Sequence, residues 1–267
     1  MSNRKYQIKT RIINNSRISG NYYKLVFAAP GIARIVRPGQ FVMVRISQGY
    51  QPLLRRPFSI HSVTAKKPVL PAGRIEILYE IVGKGTQILS GKKPGAYLDI
   101  LGPLGNGFSR LDTRHSILVG GGMGVAPLLF LAQRLSVAGP QQSTVLIGAR
   151  TKKEILCQKK FANLGYSVRI STDDGSGGFR GRATELLEHL LLTAICQPSI
   201  IYACGPKPML QGISGIARRY RIPAQISLEE YMACGLGVCL GCMVNTKHGF
   251  QAVCKDGPVF DSGIIKW

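Results

Sequence analysis

Four cysteines crowd the stretch MACGLGVCLGCMVNTKHGFQAVC at residues 232–254: Cys234, Cys239, Cys242 and Cys254. Thiolates ligate soft metal ions, so four of them among glycines read as a metal centre. The spacing is C-x4-C-x2-C-x11-C, and its first three members have the separation of a 2Fe-2S centre. Structural zinc is the rival, but it usually takes two tight pairs, and here only Cys239 and Cys242 form one. Ligand spacing favours iron and sulfide. Gly235, Gly237 and Gly241 suit a loop that curls tightly and turns its amides toward sulfur. His248 reads as a solvent-facing turn residue, because Cys254 already supplies a fourth ligand.

Three further motifs could hold phosphates or a flavin. In Arg56-Pro57-Phe58-Ser59, preceded by Arg55, the Arg56 fork can grip a pyrophosphate and the Ser59 hydroxyl can meet the polar edge of an isoalloxazine. Gly83-Lys84-Gly85-Thr86 closes an apolar strand with bare amides and a hydroxyl, which suits phosphate oxygens or, more plainly, a hairpin connection. Gly120-Gly121-Gly122-Met123-Gly124 stands between an apolar strand and a helix, with Ala126 and Pro127 in the first helical turn. There a dinucleotide can approach the backbone at a helix N-terminus. The spacing is not G-x-G-x-x-G, which argues against a conventional Rossmann dehydrogenase. Cys204-Gly205-Pro206 ends another apolar strand that should face the same crevice.

The elements needed to position these motifs change character along the chain. Up to about residue 105, segments such as YQIKTRII, YYKLVF and RIEILYEIV alternate apolar and polar residues or concentrate β-branched and aromatic ones. They predict a small antiparallel β-barrel. Residues 106–222 read as strand, glycine turn and helix repeated, with four apolar strands, which predicts a parallel sheet covered on both faces. Residues 223–267 keep neither rhythm and are too short to bury a core alone, so a bound cofactor would compensate.

With 267 residues, 45% of them hydrophobic, the chain can bury real cores. Residues 1–20 are charged throughout and lack an apolar signal core, which predicts the cytoplasm. The uncharged run from Ser116 to Gln133 is broken by adjacent glycines and Pro127, so it suits strand, turn and helix better than a membrane span. In that compartment thiols stay reduced. Cys157, Cys196 and Cys204, outside the cluster, read first as small buried hydrophobes, Cys204 alone having a motif that argues otherwise. Net charge is +22, from 35 basic and 13 acidic side chains, and residues 1–75 hold 14 Lys and Arg with no Asp or Glu. Such a field attracts anionic cofactors, an acidic partner or polyanions. The basic residues alternate with apolar ones and lack aromatic interleaving, which points away from a nucleic-acid module.

Taken in order, Arg56-Pro57-Phe58-Ser59, GKGT, GGGMG, ACGP and the cysteine stretch resemble the ferredoxin–NADP reductase superfamily. SLEEYMACGLGVCLGC followed by VCKDGPVF resembles, more narrowly, the iron–sulfur electron-transfer subunits of the two-subunit, NAD-linked (class 1B) dihydroorotate dehydrogenases. The resemblance covers nearly the whole chain. It implies a relay in pyrimidine biosynthesis: an FMN-containing catalytic partner oxidises dihydroorotate, and this chain passes the electrons through a 2Fe-2S cluster and FAD to NAD. By the same resemblance, FAD contacts fall on Arg56, Pro57, Phe58, Ser59, Leu78, Tyr79, Glu80, Gly85 and Thr86, and the cluster on Cys234, Cys239, Cys242 and Cys254. Gly120, Gly121, Gly122, Gly124, Cys204, Gly205 and Pro206 are the expected nicotinamide-side positions. No acid or base is assigned here, since deprotonation of dihydroorotate belongs to the partner, and two copies of each subunit are implied. The second strand of the α/β region runs into Arg150, Lys152 and Lys153 with no acid immediately available for a ribose hydroxyl, which leaves NADP open. The overall match and Asp173-Asp174 favour NAD. Rival readings are a flavin and iron–sulfur subunit of another oxidoreductase, of sulfide dehydrogenase or transhydrogenase type, and a basic nucleic-acid-binding module with a zinc-stabilised tail.

Overall fold

The structure, a computed structural model, describes residues 4–64, 73–109, 115–137, 143–193 and 198–267; Cys196 lies outside the described residues. The N-terminal strands are β1 (Tyr6–Ser19), β2 (Tyr22–Ala28), β3 (Phe41–Arg45), β4 (Arg56–Ser59), β5 (Ser62–Thr64), β6 (Arg74–Glu80) and β7 (Tyr97–Leu104). Helices α1 (Pro30–Ile35) and α2 (Lys84–Gly91) connect them. All pairings are antiparallel, in the order β4-β3-β7-β1-β2-β6-β5. Strand β1 serves both halves of this sheet: its first part pairs with β7, the rest with β2, and a register shift near Ile12 lets it bend between them. The sheet wraps a core of Ile12, Leu25, Phe27, Val42, Ile75 and Ile100, as the alternating sequence predicts.

The second sheet contains β8 (Ser116–Gly121), β9 (Thr144–Ala149), β10 (Ser167–Thr172), β11 (Phe179–Arg180), β12 (Ile200–Cys204) and β13 (Ala224–Ser227). Around it pack α3 (Val125–Ser136), α4 (Gln158–Asn163), α5 (Ala183–Thr193) and α6 (Lys207–Arg219). Every residue of β8 and β12 is buried, which is why their sequences are continuously apolar. A hairpin, β14 (Met243–Thr246) and β15 (Gly249–Ala252), follows the thiol loop, and the chain returns as β16 (Val259–Asp261). Strand β16 pairs antiparallel with β13 in the order β11-β10-β9-β8-β12-β13-β16.

This differs from the sequence reading in three respects. The expected boundary at residue 223 falls just before β13, so the last region contributes two strands to the parallel sheet and is not a separate appendage. The expected repeat of strand, turn and helix falters after β9, where Cys157 at φ 61° separates a 3₁₀ turn at Lys152–Glu154 from the short α4. Cys157 itself is half-buried, and burial pushes its thiol up to about 11. The GKGT segment opens α2 instead of forming a hairpin.

The cores of the regions are not sealed from one another. Phe130 of α3 joins the core of the first sheet. Cys242, Val253 and Cys254 share another with Met43 and Leu104 of the first sheet, Ile201 of β12 and Leu210 of α6.

His61 ties the two sheets together. It is fully buried; its Nδ1 lies 2.9 Å from the Ala126 carbonyl of α3, and Lys160 Nζ of α4 stands 3.0 Å from its Nε2. A carbonyl can only accept and an ammonium can only donate, so the ring is neutral with its proton on Nδ1. Burial, then the Lys160 charge, depress its pKa to about 3. A histidine this depressed binds a proton in the unfolded chain before the folded one, so its contribution is complete above pH 6.5 and shrinks as pH falls toward 3. We expect about 2 kcal/mol less stability from this group at pH 5 than at pH 7. Denaturant unfolding of wild type and His61→Gln at both pH values checks it; equal pH dependence in the two proteins would contradict the assignment.

Candidate functional site

The flavin-type motif and the GKGT segment, far apart in sequence, meet in space. A Cβ placed on Gly85 would stand 3.1 Å from Arg56 Nε, so the guanidinium passes directly over the start of α2. Arg55 is committed elsewhere, to the Asp99 carboxylate at 2.7 Å and the Asp99 carbonyl at 3.0 Å, whereas Arg56 donates to the Leu54 carbonyl and faces a cleft of about 600 Å³. Pro57, Phe58, Ser59, Leu78, Tyr79, Glu80 and Thr86 line the same cleft. The Thr86 hydroxyl accepts from the amides of Val82 (3.0 Å) and Gly83 (3.3 Å) and donates to the Gly83 carbonyl. It is thereby engaged in starting α2, and the anion-binding capacity of this corner rests on helix amides and Arg56. The far wall comes from α3, through Ala126 and Pro127, and from the segment Ser227–Met232.

A second cleft, of about 710 Å³, opens at the carboxyl ends of β8, β9 and β12. Gly121, Gly122, Gly124, Gly205 and Pro206 line it, together with Met123, Arg150, Glu154 and Asp173. Two expected residues stand behind its wall. Gly120 packs against Val125, where a Cβ would come within 2.7 Å of Cγ1. The Cys204 side chain is buried, with its thiol pKa raised by that burial, and it behaves as a small hydrophobe. Asp174 accepts from the backbone and hydroxyl of Ser176, so of the adjacent pair only Asp173 reaches the cleft. The sequence reading also missed an acid: the 3₁₀ turn after β9 brings Glu154 back onto Arg150, at 2.9 and 3.1 Å.

The two clefts adjoin. Glu80, Met123 and Glu229 line both. Glu229 was not singled out from the sequence, because nothing local marks a glutamate that follows a short strand; burial raises its pKa.

In the thiol loop, Cys234 neighbours Cys239 and Cys242 neighbours Cys254. Cys242 and Cys254 are buried, Cys234 is half-buried and Cys239 is exposed. Backbone amides point at sulfur: Leu236 N–H to Cys234 Sγ (3.3 Å), Gly237 N–H to Cys254 Sγ (3.0 Å) and Cys254 N–H to Cys242 Sγ (3.4 Å). Burial acts to raise Cys234, but the amides of Leu236, Cys239 and Val238 outweigh it and bring the thiol down to about 6. Burial and the neighbouring Cys242 push Cys254 up to about 12. Gly235 and Gly237 have φ of 70° and 78°, and a Cβ on Gly235 would strike Met43 at 2.6 Å. Gly241 has no such constraint. His248 is exposed in the β14–β15 turn.

Among the described residues, no three His, Cys, Asp or Glu side chains converge as one ion would need. Two thiol pairs with amides aimed at their sulfurs instead suit a binuclear group with two thiolates on each metal.

A model of the iron–sulfur cluster binding domain of dihydroorotate dehydrogenase B matches residues 229–266. Models of an oxidoreductase FAD-binding domain and an oxidoreductase NAD-binding domain match residues 9–108 and 118–215. The electron transfer subunit of dihydroorotate dehydrogenase B (NAD(+)) from Desulforamulus reducens is 42% identical over 255 residues, covering 94% of each chain. This chain belongs to that family. Its counterpart from Caldanaerobacter subterraneus subsp. tengcongensis is 38% identical over 96% of this chain and 97% of its own. Among solved structures, an NADH-dependent reduced ferredoxin-NADP oxidoreductase superimposes with a TM-score of 0.84 at 30% identity, over 97% of this chain and 90% of the other. Like the other members, the chain is an oxidoreductase subunit with FAD-binding, NAD-binding and iron–sulfur domains. Among the described residues no helix is long and apolar enough to cross a membrane.

Proposed function

We propose that this chain works in the cytoplasm as the electron transfer subunit of a dihydroorotate dehydrogenase, between an FMN-containing catalytic partner and NAD, in an assembly with two copies of each subunit. Cys234, Cys239, Cys242 and Cys254 would hold a 2Fe-2S cluster, and Arg56 to Ser59, Leu78 to Glu80 and the start of α2 would hold FAD. The second cleft would take the nicotinamide dinucleotide. When bound, a flavin exchanges electrons singly or in pairs and a cluster singly, so a flavin between cluster and nicotinamide matches the two currencies.

The observation that carries this reading is adjacency. The clefts share Glu80, Met123 and Glu229, so ligands filling them meet there. Gly235 of the thiol loop rests on Met43, whose register partner across β3 and β4 is Pro57 of the flavin motif. The thiol loop thus rests on the strand that pairs with the flavin motif. Arg56 and the amides of α2 neutralise a pyrophosphate, Ser59 offers a hydroxyl, and Ala126 and Pro127 shield the cleft from water. On the outer face, Leu236, Val238 and Leu240 expose apolar side chains beside the exposed Cys239, a surface suited to cover by the catalytic subunit.

The test is co-expression with an FMN-containing dihydroorotate oxidase. The expected result is a stable complex that reduces NAD when given dihydroorotate, which neither subunit does alone. A chain that binds flavin and iron but forms no such complex would favour a second reading, a reductase subunit of another oxidoreductase, for which the likeness to the ferredoxin-NADP oxidoreductase speaks.

A further inference from the structure

The second cleft is an acidic site in a basic protein. Against a net charge of +22 for the chain, its wall carries the carboxyl groups of Glu80, Glu154, Asp173 and Glu229 and only two cations, Arg150 and Arg182. Arg150 sits at the carboxyl end of β9, the strand next to the one that leads into the glycine turn. A dinucleotide whose pyrophosphate lies at that turn extends its adenosine ribose toward this strand end, where an acid reads a 2′-hydroxyl and an arginine takes a 2′-phosphate. Arg150 by itself would therefore select the phosphorylated dinucleotide. In the structure both its Nε and one terminal nitrogen are occupied by the two Glu154 oxygens, at 3.1 and 2.9 Å.

The geometry points to Glu154 as the residue that sets the choice of nicotinamide dinucleotide: its carboxylate occupies the Arg150 fork, leaving the cleft able to receive a ribose hydroxyl but not a 2′-phosphate. This rests on the second cleft being the dinucleotide site. A 2′-phosphate would have to displace Glu154 from Arg150 and then sit beside its carboxylate and that of Asp173, both of the same sign as itself. Arg150 is exposed (76%) and Glu154 half-buried (25%), so this solvent-screened pair adds little to folding stability and the selection is its main consequence.

The test measures binding of ADP-ribose and 2′-phospho-ADP-ribose by calorimetry at fixed ionic strength, using the full chain with its flavin bound, for wild type, Glu154→Gln and Glu154→Gln/Arg150→Ala. Wild type should prefer ADP-ribose. Glu154→Gln should shift the ratio toward the phosphorylated ligand by roughly tenfold to a hundredfold, the range of a charge-assisted hydrogen bond gained. The double variant should lose that gain. Steady-state oxidation of NADPH against NADH should move in parallel. An unchanged ratio in Glu154→Gln, or a gain that survives removal of Arg150, overturns the inference while the site reading stands. Failure of wild type to bind either ligand overturns both.

Discussion

Serine in place of Cys242 should strip iron from the purified protein and abolish electron delivery from a dihydroorotate-oxidising partner, while reduction of an artificial dye by NADH continues. Cys242 is 3% exposed and its sulfur accepts the Cys254 N–H at 3.4 Å, so it faces the interior of the loop. A serine hydroxyl is nearly the same size but stays protonated at neutral pH and is a poor ligand for soft metals. The flavin and dinucleotide clefts contain neither Cys242 nor Cys254, which is why the dye reaction should survive. Strand β16, held to β13 by its own register, should keep the last residues in place. Iron and acid-released flavin counted per chain, with the two activities side by side, decide the matter. Full iron content in Cys242→Ser would remove this residue from the ligand set.

Alanine in place of Gly124 should cost about 10²-fold in kcat/KM for NADH. Gly124 has φ −60° and could carry any side chain as far as its own backbone is concerned. The constraint is external: a Cβ there would clash with the carbonyl oxygen of Cys204. Backbone on both sides must move, and relief can come only by lifting the start of α3 off the end of β12. That displaces the turn expected to meet the pyrophosphate, and overpacking of this kind also costs about 1–3 kcal/mol of stability. Kinetics and ADP-ribose binding measured on folded Gly124→Ala, with Gly215→Ala as a control facing open space, separate the local effect from general damage. Wild-type kinetics in Gly124→Ala would mean that the turn does not position the dinucleotide.

The amino-acid sequence by itself determined what depends on near neighbours. Alternation over a few residues specified the antiparallel strands, unbroken apolar runs specified β8 and β12, and the glycines between β8 and α3 marked where a dinucleotide could approach. The cysteine spacing is local as well, and it favoured iron over zinc without any coordinates. Tertiary structure decided whatever needed two distant segments to meet. Arg56 and Gly85 form one corner only because β4 and α2 are brought together. The thiols sort into the pairs Cys234 with Cys239 and Cys242 with Cys254 only once the β14–β15 hairpin folds Cys254 back. Strands β13 and β16 looked like part of an appendage, because a short edge pair has too few residues to show a period. Glu154 was overlooked for a similar reason: a charged residue in a turn carries no sign of its partner, which a single 3₁₀ turn supplies. Nothing local in the sequence marks His61, and its role appears only when α3 and α4 close over it. The physical divide is range: backbone propensity and hydrophobic period act within one element, whereas the shape of a site is set by contacts whose partners are tens to hundreds of residues apart in the chain.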